Sequence, residues 1–185
     1  MDPVLAAYLE DWLHLAVRWI HIVAAIAWVG ASFYFIALDR SLRAPVGGAA
    51  GGIGGEAWEI HGGGFYRVEK FAVAPPSLPE RLQWFKWEAY LTWLSGFALL
   101  VLLYYLDPTT YLIDPAVRAL EPWQAVAASL VLLVGGWIVY DQLARRLGTR
   151  QRLLAVCLAI FVALVAWACG QLFSARASYI QVGAM

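Results

Sequence analysis

Charge is what this sequence has least of. Asp, Glu, Lys and Arg make up only 14% of 185 residues, and 13 basic side chains are balanced by 13 acidic ones. A chain with no net charge lacks the basic footprint of a nucleic-acid binder, so no nucleic-acid partner is expected. Cysteine is nearly absent. Cys157 and Cys169 lie within one apolar run, at a spacing that fits neither a zinc pattern nor C-x-x-C-H haem attachment. They read as buried helix thiols, and no c-type haem is expected on this chain. The string His61-Gly62-Gly63-Gly64 has no G-x-S-x-G to accompany it, which excludes a serine hydrolase with a lipase-like oxyanion loop. No G-x-G-x-x-G follows a strand pattern and no G-K-[ST] occurs, which removes nucleotide-binding loops. The leader Met1–Glu10 is acidic, with no basic region before the first apolar run, so a cleaved secretory signal is not expected.

What the sequence has is apolar length. Hydrophobic residues reach 62%, well above the share usual in soluble domains. Four runs contain no Asp, Glu, Lys or Arg: Trp19–Leu38, Ala89–Leu106, Pro122–Tyr140 and Leu153–Ala175. Each is about the length needed to cross roughly 30 Å of hydrocarbon at about 1.5 Å per residue. In lipid, only helices and closed barrels satisfy their own backbone polar groups. The expected fold is an all-α polytopic membrane protein forming a single membrane domain, residues 1–185. Its helices are placed near 13–38, 84–106, 122–140 and 153–175, and a Gly-rich loop spans 39–83. Met1–Trp12 is expected to be an interfacial turn. Ten Trp and nine Tyr suit interfacial aromatic belts.

Orientation follows from the basic residues. Arg40, Arg43, Arg67, Lys70 and Arg81 lie in the first long loop, and Arg145, Arg146, Arg150 and Arg152 in the second. Only Arg118 and Arg176 lie on the other side. The positive-inside rule therefore puts both basic loops in the cytoplasm and both termini outside.

Along the chain, His14, Arg18 and His21 fall at i, i+4 and i+7 and share one helix face. Polar groups at membrane depth face a bundle interior or a wet cavity, although His14 and Arg18 lie close enough to the end to snorkel to headgroups. His21 is deeper and has three readings: a satisfied interior histidine, a haem or metal ligand, or a substrate or proton group. Ala44–Glu56 reads as a flexible glycine linker. Glu56–Phe71 divides around the three glycines into two short segments, the pattern of a small hairpin. The second helix opens with Trp84, Lys86, Trp87 and Glu88, followed by Tyr90, Thr92, Trp93 and Ser95. This is either an aromatic belt with snorkelling charges, or the lining of a cavity for a flat, polar, conjugated ligand. The tail Ser178–Met185 reads as the opening of a fifth helix, and the chain is expected to be truncated there.

Several strings resemble the membrane-bound urate oxidase (urate hydroxylase) family of the PuuD type. They are WIHIVAAIAWVGASFYF (Trp19–Phe35) with LDRSL (Leu38–Leu42), GEAWEIHGGGFY (Gly55–Tyr66), WFKWEAYLTWLSGF (Trp84–Phe97) and YLIDP (Tyr111–Pro115). They occur in the family's order and cover nearly the whole chain. The resemblance implies an eight-helix membrane domain followed by a cytochrome c domain, of which this chain supplies about half the membrane part. It implies hydroxylation of urate to 5-hydroxyisourate with water, and transfer of electrons to a cytochrome c. It also implies a bacterial inner membrane with both termini periplasmic. The partners implied are the lipid bilayer, urate and a cytochrome c domain or protein. Arg67 and Gln83 stand where the family pattern carries histidines. On the matched strings, His61 is the candidate general base, and Glu88 and Lys86 are candidates to position the purine or relay protons. Arg18 is the candidate partner for an anionic substrate or a haem propionate, and His21 the candidate ligand of haem b. The competing reading is a non-enzymatic, haem-binding electron-transfer or anchor subunit. A transporter fits less well, because no repeated halves or paired broken helices occur.

Overall fold

A computed structural model describes residues 2–46 and 50–185. It is 67% helical, with four helices long and apolar enough to cross a membrane and one small two-stranded sheet. The chain divides into two compact units. One is formed by the segment through His21 together with Trp93–Met185, the other by Ile22–Thr92.

The first helix, α1, spans Pro3–Ser41. At about 1.5 Å per residue it is about 58 Å long, more than a bilayer core requires. The expected interfacial turn at the N-terminus is helical instead. The Asp2 carboxylate accepts the Val4 N–H at 3.0 Å, and Pro3 opens the helix at the position where a missing N–H costs nothing. Hydropathy marks only the part of a helix that suits lipid, so a capped polar extension escapes it. Shielded positions on α1, including His14, Val17, His21, Ala24, Ala31 and Leu38, recur at helical spacing as one stripe.

In the unit Ile22–Thr92, strands β1 (Ile53–His61) and β2 (Gly64–Phe71) form the expected hairpin. They pair antiparallel from Ile53↔Phe71 to His61↔Gly64. Gly62 and Gly63 make the turn with φ of 57° and 82°, values that suit glycine and give the two-residue hairpin geometry. Glu56, Trp58 and Ile60 share one face with their partners Glu69, Arg67 and Phe65. The glycine-linker reading is corrected in part. Ala50–Gly52 is a tight turn with Gly51 and Gly52 at positive φ and Ile53–Gly55 belongs to β1, while residues 47–49 lie outside the described residues. Glycine serves close approach here: a Cβ on Gly55 would come within 3.1 Å of the Leu42 side chain. The base is pinned by two backbone bonds between Arg43 and Glu56, of 2.8 and 2.9 Å.

Helix α2 spans Trp87–Leu100 and passes directly into a π-helical turn, Val101–Tyr105. It begins three residues later than expected, with the Lys86 carbonyl accepting the Tyr90 N–H at 3.1 Å. Glu88 in the first turn complements the helix dipole.

The other unit holds α3 (Pro108–Tyr111), α4 (Pro122–Leu147), α5 (Gln151–Gly170) and α6 (Ala175–Ala184). Reciprocal bonds between Glu121 and Gln124 cap α4. The helix runs seven residues beyond its apolar stretch, where Arg145 and Asp141 pair at 2.7 Å. The last apolar run breaks after Gly170, and the Ser174 hydroxyl caps α6 by accepting the Ala177 N–H. The tail is therefore helical from Ala175. Leu100, Tyr104, Leu112, Ala125, Val165, Cys169, Phe173 and Ala177 form the core.

Candidate functional site

Two polar constellations emerge, one in each unit. The first surrounds His21. Its Nδ1 lies 3.2 Å from the Ser95 hydroxyl, and Ser95 is buried. Gly96 sits against the ring: a Cβ there would approach His21 Cε1 to 3.0 Å. The Ser95 hydroxyl thus helps to orient the imidazole, which fits because the next residue has no side chain. One turn back, Arg18 is exposed. Two turns back, His14 Nε2 is buried without a hydrogen bond. The Glu10 carboxylate lies 3.9 Å away, beyond hydrogen-bonding range.

The second constellation lies at the start of α2. Lys86 Nζ sits over the rings of Trp84 and Trp87, 5.2 and 5.7 Å from their centroids. Glu88 is half-buried, and its Oε2 is buried with no hydrogen-bond partner. Such an atom calls for a donor, since an unsatisfied buried acceptor costs about 1–3 kcal/mol. Glu88, Thr92 and Ser95 follow one another at i, i+4 and i+7, giving α2 a polar stripe. His61 is exposed at the hairpin turn in the same unit. Among the described residues, no hydrogen bond or ion pair joins His61 to Lys86 or Glu88.

Two features escape a reading of the sequence. Glu56 is only 4% exposed, and its Oε2 accepts from Arg67 at 2.7 and 3.1 Å. Arg67 also pairs with Glu69 at 2.8 Å and stacks over Trp58. The register of the hairpin would have located this pair, since Trp58↔Arg67 places Glu56 diagonally across from the guanidinium. Beside Glu56 lies an open cleft of about 360 Å³, bordered by Ser41, Arg43 and Trp58. The second feature is a buried trio in the helical unit. Ser129 donates to Gln181 Oε1, and Gln181 Nε2 donates to the Ser129 carbonyl at 2.9 Å. Ser129 has one hydroxyl proton, so Tyr105 is the donor in their shared 2.6 Å bond. Every member is satisfied, which marks the trio as packing between the π-helical turn after α2, α4 and α6. No group of three or more His, Cys, Asp or Glu that could hold a metal ion occurs among the described residues.

The model of the family described as urate oxidase N-terminal matches residues 7–185. The chain belongs to that family. No curated protein and no solved structure matches it. At the level of the family, membership connects the chain to urate oxidation and is compatible with an oxidoreductase acting on urate. The four long apolar helices of this urate oxidase N-terminal chain are compatible with a membrane protein.

Proposed function

We propose that this chain forms part of a membrane-embedded urate hydroxylase of the PuuD type. In the overall reaction, urate gains a hydroxyl from water at C5, releases two protons and gives up two electrons, one to each of two cytochromes c. The family match over residues 7–185 carries the substrate class. The buried, unpartnered Glu88 Oε2 carries the assignment of the substrate site. Urate is flat and rich in N–H donors. One such donor would satisfy Glu88, while the purine ring would stack beside Trp84 and Trp87. Lys86, held over those indoles, would neutralise the anionic purine. His61 is the proposed base for the attacking water, since a ring nitrogen of an exposed imidazole can accept a proton. Both termini are assigned to the periplasm of a bacterial inner membrane, from the basic residues of the two loops.

His21 is proposed as the residue that would hold haem b, a group that would supply one-electron transfer, with Arg18 as partner for a propionate. The fixed imidazole between Ser95 and Gly96 suits that role. His14 lies on the same helix, about 10 Å further along, so His21 supplies one ligand at most. The same seat supports the second reading, a haem-carrying electron-transfer or anchor subunit without urate chemistry.

The test is loss of urate absorbance in membranes containing the protein, with oxidised cytochrome c supplied. Glu88→Ala is expected to abolish turnover of urate. Wild-type turnover in the Glu88→Ala protein would remove the substrate site from α2. A membrane that binds haem but never consumes urate would favour the second reading.

A further inference from the structure

We infer that the β1–β2 hairpin folds back along α1 and seats its tip in the headgroup–acyl boundary of the same bilayer leaflet. The inference rests on the reading of α1 as a membrane span.

The direction of the hairpin comes from three contacts within one unit. At its base, Arg43 just beyond α1 pairs with Glu56. Next, Lys70, opposite Gly55, bonds Asp39 at 2.7 Å. Nearer the tip, Glu59 accepts from the Tyr34 hydroxyl at 2.7 Å. Moving toward the tip therefore means moving back along α1, from Asp39 to Tyr34. Tyr34 lies four residues inside the charge-free run that ends at Leu38, about 6 Å along the helix. The turn Gly62–Gly63 lies further in the same direction.

The chemistry of the hairpin changes along that direction. Its base carries Glu56, Arg67, Glu69 and Lys70 and Glu59 lies level with Tyr66, whereas Ile60–Tyr66 holds His61 but no Asp, Glu, Lys or Arg. On the face that bears Glu56, Trp58, Ile60 and Phe65 are 65%, 71% and 75% exposed. A charged base leading to an aromatic and aliphatic tip follows the gradient from water to lipid, and Trp favours that boundary. The sheet has only two strands, so its outer edges keep unpaired backbone groups. Such edges do not enter bare hydrocarbon. This sets the depth at the boundary, about 5–10 Å in, where apolar side chains reach acyl chains and the backbone stays hydrated. Both ends of the hairpin segment run into apolar helices, at Ser41 and Trp87, so the tip is delivered to that surface without a separate anchor.

The test uses the full chain in nanodiscs of phosphatidylglycerol and phosphatidylcholine, in a C157A/C169A background. A nitroxide is placed at Ile60→Cys, at Phe65→Cys in a second protein, and at Val131→Cys in a third. Val131 is exposed in the middle of α4. Power saturation compares oxygen, which concentrates in lipid, with a nickel chelate confined to water. The inference expects oxygen to dominate at positions 60 and 65, though less than at 131. Dominance of the nickel chelate at 60 and 65 with oxygen dominant at 131 would overturn it and leave the membrane reading intact. Shielding from both reagents at 60 and 65 would overturn it in favour of a covering protein surface. Water access at all three positions would overturn the membrane reading and the inference together.

Discussion

The imidazole of His21 and the hydroxyl of Ser95 share a 3.2 Å hydrogen bond between α1 and α2, and Gly96 leaves the ring the room it needs. If His21 ligates haem, His21→Ala is expected to abolish the absorption band of bound haem in purified protein. Ser95→Ala removes one orienting bond worth about 1 kcal/mol, or roughly fivefold in affinity. Gly96→Ala drives a methyl to 3.0 Å from the ring and is expected to cost more than Ser95→Ala. Haem titration of the three variants checks the order. Retention of the full band in His21→Ala would remove the ligand assignment.

The Glu56–Arg67 pair predicts where the hairpin fails first. Arg67→Ala leaves a buried carboxylate whose one remaining hydrogen bond among the described residues comes from the Val46 N–H at 3.3 Å. Losing a charged hydrogen bond to a buried group costs about 1–3 kcal/mol. The low end is expected, because 44% of the Arg67 side chain is open to solvent. Hydrogen exchange should speed up across Ile53–Phe71 and leave α4 and α5 unchanged.

Gln181 makes a prediction in the other unit. It is fully buried on α6, and Ser129 on α4 gives and receives its bonds. Ser129→Ala leaves Gln181 Oε1 without its donor, a loss of about 1–3 kcal/mol for a buried acceptor left unsatisfied. Thermal unfolding in detergent should show it, and Ser129→Ala combined with Gln181→Leu should recover part of the loss.

Asp107 supplies a pH dependence. The Thr110 hydroxyl, and after it that of Thr109, donates to its carboxylate and holds its pKa below the ordinary value. A depressed carboxyl contributes stability above its unfolded pKa of about 3.9, and loses it as pH falls through the lower folded value. The contribution is small in a fully exposed turn. Carboxyl NMR should show Asp107 titrating below the other exposed aspartates, and Thr110→Val should raise it.

The long helices were legible because absence of charge over twenty residues has few explanations. The hairpin was legible because three glycines separated two segments rich in Trp, Phe, Tyr and Ile. Helix α1 outran its apolar run because Asp2 and Pro3 cap it, and capping leaves no mark in hydropathy. The start of β1 was hidden in glycines whose strand character exists only through pairing with Phe71 and Lys70. The candidate residues His21 and Glu88 stood out as polar groups in or beside apolar runs. Their surroundings did not, since Ser95, Gly96 and the orphaned oxygen of Glu88 depend on which helix faces meet. Glu56 and Gln181 looked like ordinary polar residues until tertiary pairing buried them.

The most direct test of the account is urate-dependent reduction of oxidised cytochrome c by membranes that contain this chain within the longest reading frame of its gene. Reduction is expected to follow urate consumption with two cytochromes reduced per urate, and Glu88→Ala to stop both. Membranes that contain the protein and reduce no cytochrome c when urate is added would contradict it.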